Sequence, residues 1–163
     1  MLGFAKLAEA RTHARAGRRG DTHAALSAAE GYLEAIRLGA YDPAQLAYFG
    51  YGRLATDAVE IHRNLGNPTE AFRWSEKAAP MPASRFTRAV GICRAVLACT
   101  HLQRLDLDQG LPHAQESLAI LQNLRSPRAH GYVSETVRAL DAWRREASVA
   151  VFMHDARRRL FAA

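Results

Sequence analysis

The sequence is poor in cysteine and has no long apolar run. Cys93 and Cys99 are its two cysteines among 163 residues. Their spacing within a predicted helix directs them to different faces, so no disulfide is expected between them, and a reducing compartment is the simple interpretation. No apolar stretch is long enough to cross a bilayer, and the first residues, Met1 to Lys6, lack the charged-then-apolar order of a signal peptide. We therefore predict a cytoplasmic protein without a membrane segment.

Lysine is almost absent. Lys6 and Lys77 are the only two, arginine supplies the other basic side chains, and the formal net charge is +6. With so much alanine, this composition is typical of a high-GC genome such as that of an actinobacterium. A positive charge permits contact with nucleic acid or an acidic partner. No aromatic or glycine-rich pattern accompanies the arginines, so a solvated arginine-rich surface is the favoured interpretation, also for the run Arg157-Arg158-Arg159 and the pair Arg144-Arg145.

Catalytic motifs are missing as well. The chain has no Gly-x-Ser-x-Gly, no P-loop, no Gly-x-Gly-x-x-Gly and no His-Glu-x-x-His. Gly50-Tyr51-Gly52 falls inside a predicted helix, where it indicates close packing or a kink. We expect no enzyme activity, no metal and no other cofactor. The alternative is a small all-α enzyme or metal-binding protein with a cavity containing His62, Cys93 and His101.

Apolar periodicity predicts helices throughout, arranged as three helical hairpins at about 1–38, 41–79 and 84–124, followed by one or two capping helices at about 127–161. Gly20, Gly66 and Gly110 are predicted as equivalent corners, roughly 45 residues apart. Asp21 or Thr22 is expected to cap the second helix, and Thr69 the fourth.

The remaining boundaries follow from proline and from apolar spacing. One helix is expected to run from Pro43 to Leu65, the return helix of the third hairpin to begin at Pro112, and a later helix to begin at Ser126-Pro127. The closing helix is expected to direct Val151, Phe152 and Leu160 inward. A repeat of this length favours an α-solenoid in which each hairpin buries its face on the next, so residues 1–163 are predicted to form a single domain.

The second hairpin resembles a tetratricopeptide (TPR) repeat, with Gly66 at the turn followed by Ala71 and Ala78. The wider layout includes Tyr41-Asp42-Pro43-Ala44, the turn from Leu65 to Ala71, and the segment from Leu124 to Arg128. It is similar to the TPR-like C-terminal region of actinobacterial transcriptional regulators that carry an Xre-type helix-turn-helix. That resemblance implies a region that receives a signal or partner. No helix-turn-helix module is recognised ahead of the repeats, so direct nucleic-acid binding by this chain is not expected.

The resemblance places the first helix of each hairpin on a concave face. Polar residues there form two stripes at helical spacing, which are Arg53, Thr56, Glu60, Arg63 and Asn64 in the second hairpin and Arg94, His101, Arg104 and Asp108 in the third. The planar fork of arginine binds carboxylates, so we expect a groove for an acidic peptide or ligand. The alternative is that these side chains are solvated, or paired with Glu60 and Asp57.

The predicted function is a non-catalytic binding or sensory module that recognises a protein segment, a peptide or a small ligand. Its occupancy would pass to a transcription-regulating partner through a shift between two curvatures of the stack. Association of two copies through exposed apolar ends is left open.

Overall fold

The computed structural model describes residues 2–37, 50–78 and 83–160, and every regular element in these ranges is helical. The prediction of an all-α protein is confirmed. No helix in the described ranges is both long and apolar enough to cross a membrane. The α-helices are α1 (Leu2–Arg15), α2 (Arg19–Arg37), α3 (Tyr51–Asn64), α4 (Pro68–Lys77), α5 (Ala83–Gln103), α6 (Leu107–Leu121), α7 (Pro127–Ala139) and α8 (Ala147–Leu160), with a 3₁₀ helix at Leu140–Trp143.

The chain divides into two compact units, Met1–Ala79 and Pro80–Ala163. In the first unit, α1 packs on α2, α3 packs on α4, and α1 also packs on α3. In the second unit, α5 packs on α6 and on α7, and α8 packs on both α6 and α7. The helices therefore pair as the three predicted hairpins. A continuous TPR-like solenoid over the whole chain stays a prediction.

Each unit has its own apolar core. Leu7, Leu54 and Ile61 are fully buried in the first unit. The core of the second unit combines α5, α6, α7 and α8, and it includes Phe152 and Met153. The prediction that Val151 faces inward is wrong. Its side chain is 65% exposed, because Val149, Phe152, Met153 and Ala156 together form the buried face of α8.

The same hydrogen-bonded corner joins the two helices of each hairpin. A single residue with left-handed backbone lies at each corner: Gly17 with φ 70°, Gly66 with φ 66° and Leu105 with φ 60°. The amide of the next residue donates to a carbonyl five residues earlier, which belongs to His13, His62 and His101 in the three corners. This 6→1 bond, with a second bond from the corner residue itself, is the Schellman motif that ends a helix.

The predicted set of corner glycines is therefore wrong in two of three positions. Gly20 lies in the first turn of α2, and Gly110 lies in α6. Gly110 instead serves close packing, because an added Cβ would lie 2.9 Å from the Leu102 side chain. It is five residues past Leu105, as Ala71 is five residues past Gly66. Both positions are buried, so a small residue follows each of these two corners where the second helix returns against the first.

The helix starts follow the corners closely. Asn67 and Asp106 each directly follow a corner residue and cap α4 and α6, accepting from the amides of Glu70 and Gln109. Thr69 is therefore inside α4. The hydroxyl of Thr22 donates to the Arg18 carbonyl at 2.7 Å within the turn that begins α2, so neither Thr22 nor Asp21 precedes the helix.

Three other helix boundaries were predicted from the sequence, and the structure agrees with one of them. The start of α7 at Ser126-Pro127 is confirmed, and Ser126 caps the helix by accepting from the amide of Ala129. Pro112 lies inside α6 rather than at its start, because the Asp106 cap begins the helix earlier. Gly50 has extended backbone, with φ −120° and ψ 171°, and precedes α3. A helix unbroken from Pro43 to Leu65 is therefore wrong at Gly50, and its part at 41–49 lies outside the described residues.

We predict that Leu105→Gly stabilises the second unit by up to about 1 kcal/mol. A left-handed conformation costs a residue with a Cβ about 1–2 kcal/mol, part of which glycine loses again through the entropy of the unfolded chain. The Leu105 side chain is 78% exposed, so its removal sacrifices little packing. Urea denaturation followed by circular dichroism measures the change. Gly66→Ala is the reciprocal variant and should destabilise; a loss of stability in Leu105→Gly would contradict this account.

Candidate functional site

In the first unit, α1 and α3 meet along a line of charged side chains. Phe4 lies beside Arg53, and Arg15 lies beside Glu60, so the two helices run in the same direction. The facing positions recur every one or two turns, at 4, 11 and 15 on α1 and at 53, 57, 60 and 64 on α3. We call this the α1–α3 seam and define it by Phe4, Arg11, Arg15, Arg53, Asp57, Glu60 and Asn64.

Two buried carboxylates form the inner part of the seam. Glu60 accepts a hydrogen bond from Arg15 at 2.8 Å and lies 3.2 Å from Arg11. Asp57 lies 3.1 Å from the Nε of Arg53 and 3.9 Å from Arg11. Arg11 therefore joins both carboxylates and is itself largely enclosed. The side chains of Arg15 and Arg53 remain 53% and 38% exposed, so a ligand can reach both.

Arg53 is oriented by two contacts. Its Nε donates to Asp57, and its guanidinium carbon lies 5.6 Å from the centre of the Phe4 ring. The ring face attracts the cation, and the carboxylate fixes the direction of the fork. A guanidinium held in this way loses little freedom when it binds a carboxylate from outside.

Burial raises the pKa of the Asp57 carboxyl above its ordinary value of 3.8, and this exceeds the lowering that Arg53 and Arg11 cause. Loss of water thus disfavours the charged carboxylate more than the two arginines favour it. The Asp57 charge is therefore a weak source of stability for the first unit.

The structure places the five predicted groove positions of α3 as follows. Arg53 and Glu60 lie in the seam, and Asn64 is one turn beyond Glu60 on the same face. The hydroxyl of Thr56 donates to the carbonyl of Gly52 in its own helix. Arg63 is buried, with 8% exposure. Arg53 forms the pair with Asp57 that the sequence offered as the alternative.

Phe4, Arg11 and Arg15 are seam residues that the sequence did not single out. Their signal was present, since positions 4, 11 and 15 share one face of a helix at the same spacing as 53, 60 and 64. The alanine-rich composition of α1 concealed it, because small residues surround the charged ones on every side. The partners of Glu60 therefore come from a helix that carried no predicted site residue.

The predicted residues of the third hairpin belong to the second unit, and two of them join a histidine cluster between α5 and α6. The rings of His101 and His113 stack with centroids 5.4 Å apart. The Nδ1 of His101 lies 3.1 Å from Asp106, and Arg94 lies 3.3 Å from the Nδ1 of His113. Arg94 also pairs with Glu116 at 2.9 Å. The other two predicted positions, Arg104 and Asp108, are exposed.

These contacts assign a hydrogen to one nitrogen of each ring. His101 donates its Nδ1–H to the Asp106 carboxylate, which can only accept. Arg94 can only donate, so the Nδ1 of His113 accepts and its Nε2 carries the hydrogen. Burial lowers the pKa of His113, and the charge of Arg94 and that of His101 when it is protonated lower it further. The cluster is therefore arranged around a neutral His113.

The alternative site of His62, Cys93 and His101 is divided between the units, because His62 belongs to α3 and the other two belong to α5. Among the described residues, no group of three or more His, Cys, Asp or Glu side chains is placed to hold a metal ion. His62 instead lies beside His23, with ring centroids 6.1 Å apart, and burial lowers its pKa.

Comparisons of the chain with protein-family models, with curated proteins and with solved structures give no match.

We predict that Glu60→Gln lowers the free energy of unfolding by about 3 kcal/mol, because it leaves the enclosed Arg11 without its nearer carboxylate. Asp57→Asn should cost much less, since burial already opposes the charge of Asp57. Urea denaturation measures both. Glu9→Gln is the matched control on α1: Glu9 pairs with Lys6 at the surface, where an ion pair contributes at most about 1 kcal/mol. Equal losses in Glu60→Gln and Glu9→Gln would show that the seam is not enclosed.

Stability should also fall as the pH drops from 7 towards 5.5. His62 and His113 have lowered pKa values in the folded protein, so the unfolded chain binds more protons around and below its ordinary histidine pKa of 6.5. The stability that the two neutral histidines provide is fully present above pH 6.5 and is lost as the pH falls through that value. Urea midpoints across this range measure the trend. Replacing both histidines by glutamine should flatten it, whereas His154→Gln, at an exposed position of α8, should not.

Proposed function

We propose that the chain is a non-catalytic, TPR-like binding module that recognises an acidic peptide segment along the α1–α3 seam. The observation that carries the proposal is the pair of partly exposed arginines, Arg15 and Arg53, held in fixed positions by buried carboxylates. Arginine forks placed in this way bind carboxylates in a defined geometry. In the role that the sequence resemblance implies, the bound segment would signal to a transcription-regulating partner.

The spacing of the two arginines defines the segment. Arg53 is held by Asp57 and Arg15 by Glu60, and these two carboxylates are three residues apart on α3. At a rise of 1.5 Å per residue, they are about 4.5 Å apart along the helix. In an extended peptide, side chains two residues apart lie on the same face about 6.6 Å from each other, so carboxylates at that spacing would meet both arginines.

A further donor supports an acidic or carbonyl-bearing ligand. Asn64 follows Glu60 by one turn on the seam face, and its Nδ2 is buried without a hydrogen-bond partner among the described residues. A buried donor left unpaired costs about 1–3 kcal/mol. If the Asn64 side chain turned towards solvent, an oxygen acceptor of a ligand at this end of the seam would remove that cost.

The proposal is tested with fluorescein-labelled peptides that carry two glutamates in an otherwise Gly-Ser chain. Fluorescence anisotropy at physiological salt should show the tightest binding when the glutamates are two residues apart, on the same face of the extended peptide. Arg15→Gln with Arg53→Gln should weaken that binding by about tenfold or more, since a charge-assisted hydrogen bond contributes about 1.5–3 kcal/mol.

The matched control is Arg18→Gln with Arg73→Gln. Both arginines belong to the first unit, are exposed, and pair with an acidic residue three positions away. This double variant removes the same charge and should change binding less than twofold. Equal losses in the two double variants, or binding by none of the peptides, would refute the seam as a recognition site.

A further inference from the structure

The second unit has a group of exposed arginines that the proposed function does not use. It combines two segments that are distant in sequence, residues 122–130 and 155–160. The Nη1 of Arg159 donates to the side-chain oxygen of Gln122 at 2.8 Å, which joins the end of α8 to the end of α6. The Nε2 of His130 lies 2.9 Å from the carbonyl oxygen of Leu124, which brings the first turn of α7 to the same place.

Five arginines lie on these segments. We call them the arginine patch, and they are Arg125, Arg128, Arg157, Arg158 and Arg159, all exposed. The two segments contain one acidic residue, Asp155, which lies 3.7 Å from Arg158 and 3.4 Å from Arg159. Within the described part of the chain, the other three arginines have no ion-pair partner. The patch therefore keeps an excess of four positive charges.

We propose that the arginine patch binds the phosphate backbone of double-stranded nucleic acid. Like charges gathered at one place attract a polyanion strongly, because binding releases the counterions that the polyanion had condensed. The guanidinium fork matches the geometry of phosphate oxygens. The patch also includes the N-terminus of α7, where Ser126 caps the helix and the helix dipole adds partial positive charge.

A duplex fits the patch better than a membrane surface or a single strand. Membrane-binding helices insert exposed apolar side chains, and the two segments expose no large one. Val151, the exposed apolar residue of α8, lies outside them. Single strands are bound by stacking on aromatic side chains, and the two segments contain none. Backbone phosphates held in a regular double helix need only the charge that the patch provides.

The membership of the patch depends on the fold. The sequence groups Arg144 and Arg145 with the arginine run of α8. In the structure these two residues precede α8, which begins at Ala147, so about 15 Å of helix separates them from Arg157. The contact of Arg159 with Gln122 instead brings the segment that carries Arg125 and Arg128 to the end of α8, which adds charges from a second segment to the helix end.

The experiment compares two triple variants of the full chain that remove equal charge from one unit. The first is Arg125→Gln with Arg128→Gln and Arg157→Gln, in the patch. The second is Arg138→Gln with Arg144→Gln and Arg145→Gln, exposed at the opposite ends of α7 and α8. Binding of a labelled 20-base-pair DNA duplex is measured by anisotropy between 50 and 200 mM salt, and circular dichroism checks that both variants fold.

The patch variant should bind at least tenfold more weakly than the unsubstituted chain. Its plot of log K against log salt should be shallower by about 2–3, because each lost arginine releases about one counterion fewer. The matched variant should bind the duplex within twofold of the unsubstituted chain, and the slope of its log K plot should be unchanged. Lysine at the three patch positions should restore the slope. The proposal is overturned by equal losses in the two variants, by no measurable duplex binding, or by binding to phosphatidylserine vesicles in preference to the duplex.

Discussion

The hairpins depend on one backbone hydrogen bond, the 6→1 bond that ends the first helix of each pair. It requires a residue with left-handed backbone at the corner, and the chain uses Gly17, Gly66 and Leu105 there. Once that bond forms, the next residue is placed to begin the second helix, and Asn67 and Asp106 use their side chains to cap it. The second helix then returns antiparallel to the first, and a small buried residue at its start lets the two helices approach.

The packing of α1 on α3 determines where charged side chains meet in the first unit. Phe4 lies beside Arg53 and Arg15 beside Glu60, so the two helices run in the same direction and residues at equal spacing face one another. This arrangement brings arginines of α1 to the carboxylates of α3. The seam gains ion pairs but loses the hydration of Asp57 and Glu60, and burial raises the pKa of Asp57 despite its two arginine neighbours. The charges of the seam therefore add less stability than the number of ion pairs suggests.

Local signals made the helical class and the pairing of helices predictable. Apolar spacing and proline located the helices that pair in the described ranges, and the predicted start of α7 at Ser126-Pro127 is confirmed. The corner positions were harder to predict, because Leu105 adopts at one corner the left-handed backbone that glycine adopts at the others. No residue propensity predicts leucine in that conformation. Only part of the candidate site could be predicted. Helical spacing shows that Arg53 and Glu60 share a face of α3, whereas the contact of that face with Arg11 and Arg15 depends on how α1 and α3 pack. Contacts between residues of different segments, such as Gln122 with Arg159, cannot be inferred from local sequence patterns.

The arginines of the two units differ in whether they have partners within the protein. In the described part of the first unit, Arg18 and Arg73 pair with acidic neighbours, and Arg19 donates to the carbonyl of Leu65 at 2.7 Å. These arginines are bound by groups of their own unit. In the second unit, twelve basic residues face seven acidic ones, so pairing cannot neutralise them all, and the surplus is concentrated where α6, α7 and α8 meet. Net charge alone would have assigned a basic character to the whole chain. Because exposed like charges repel one another, a local surplus is most easily maintained where a polyanion can neutralise it.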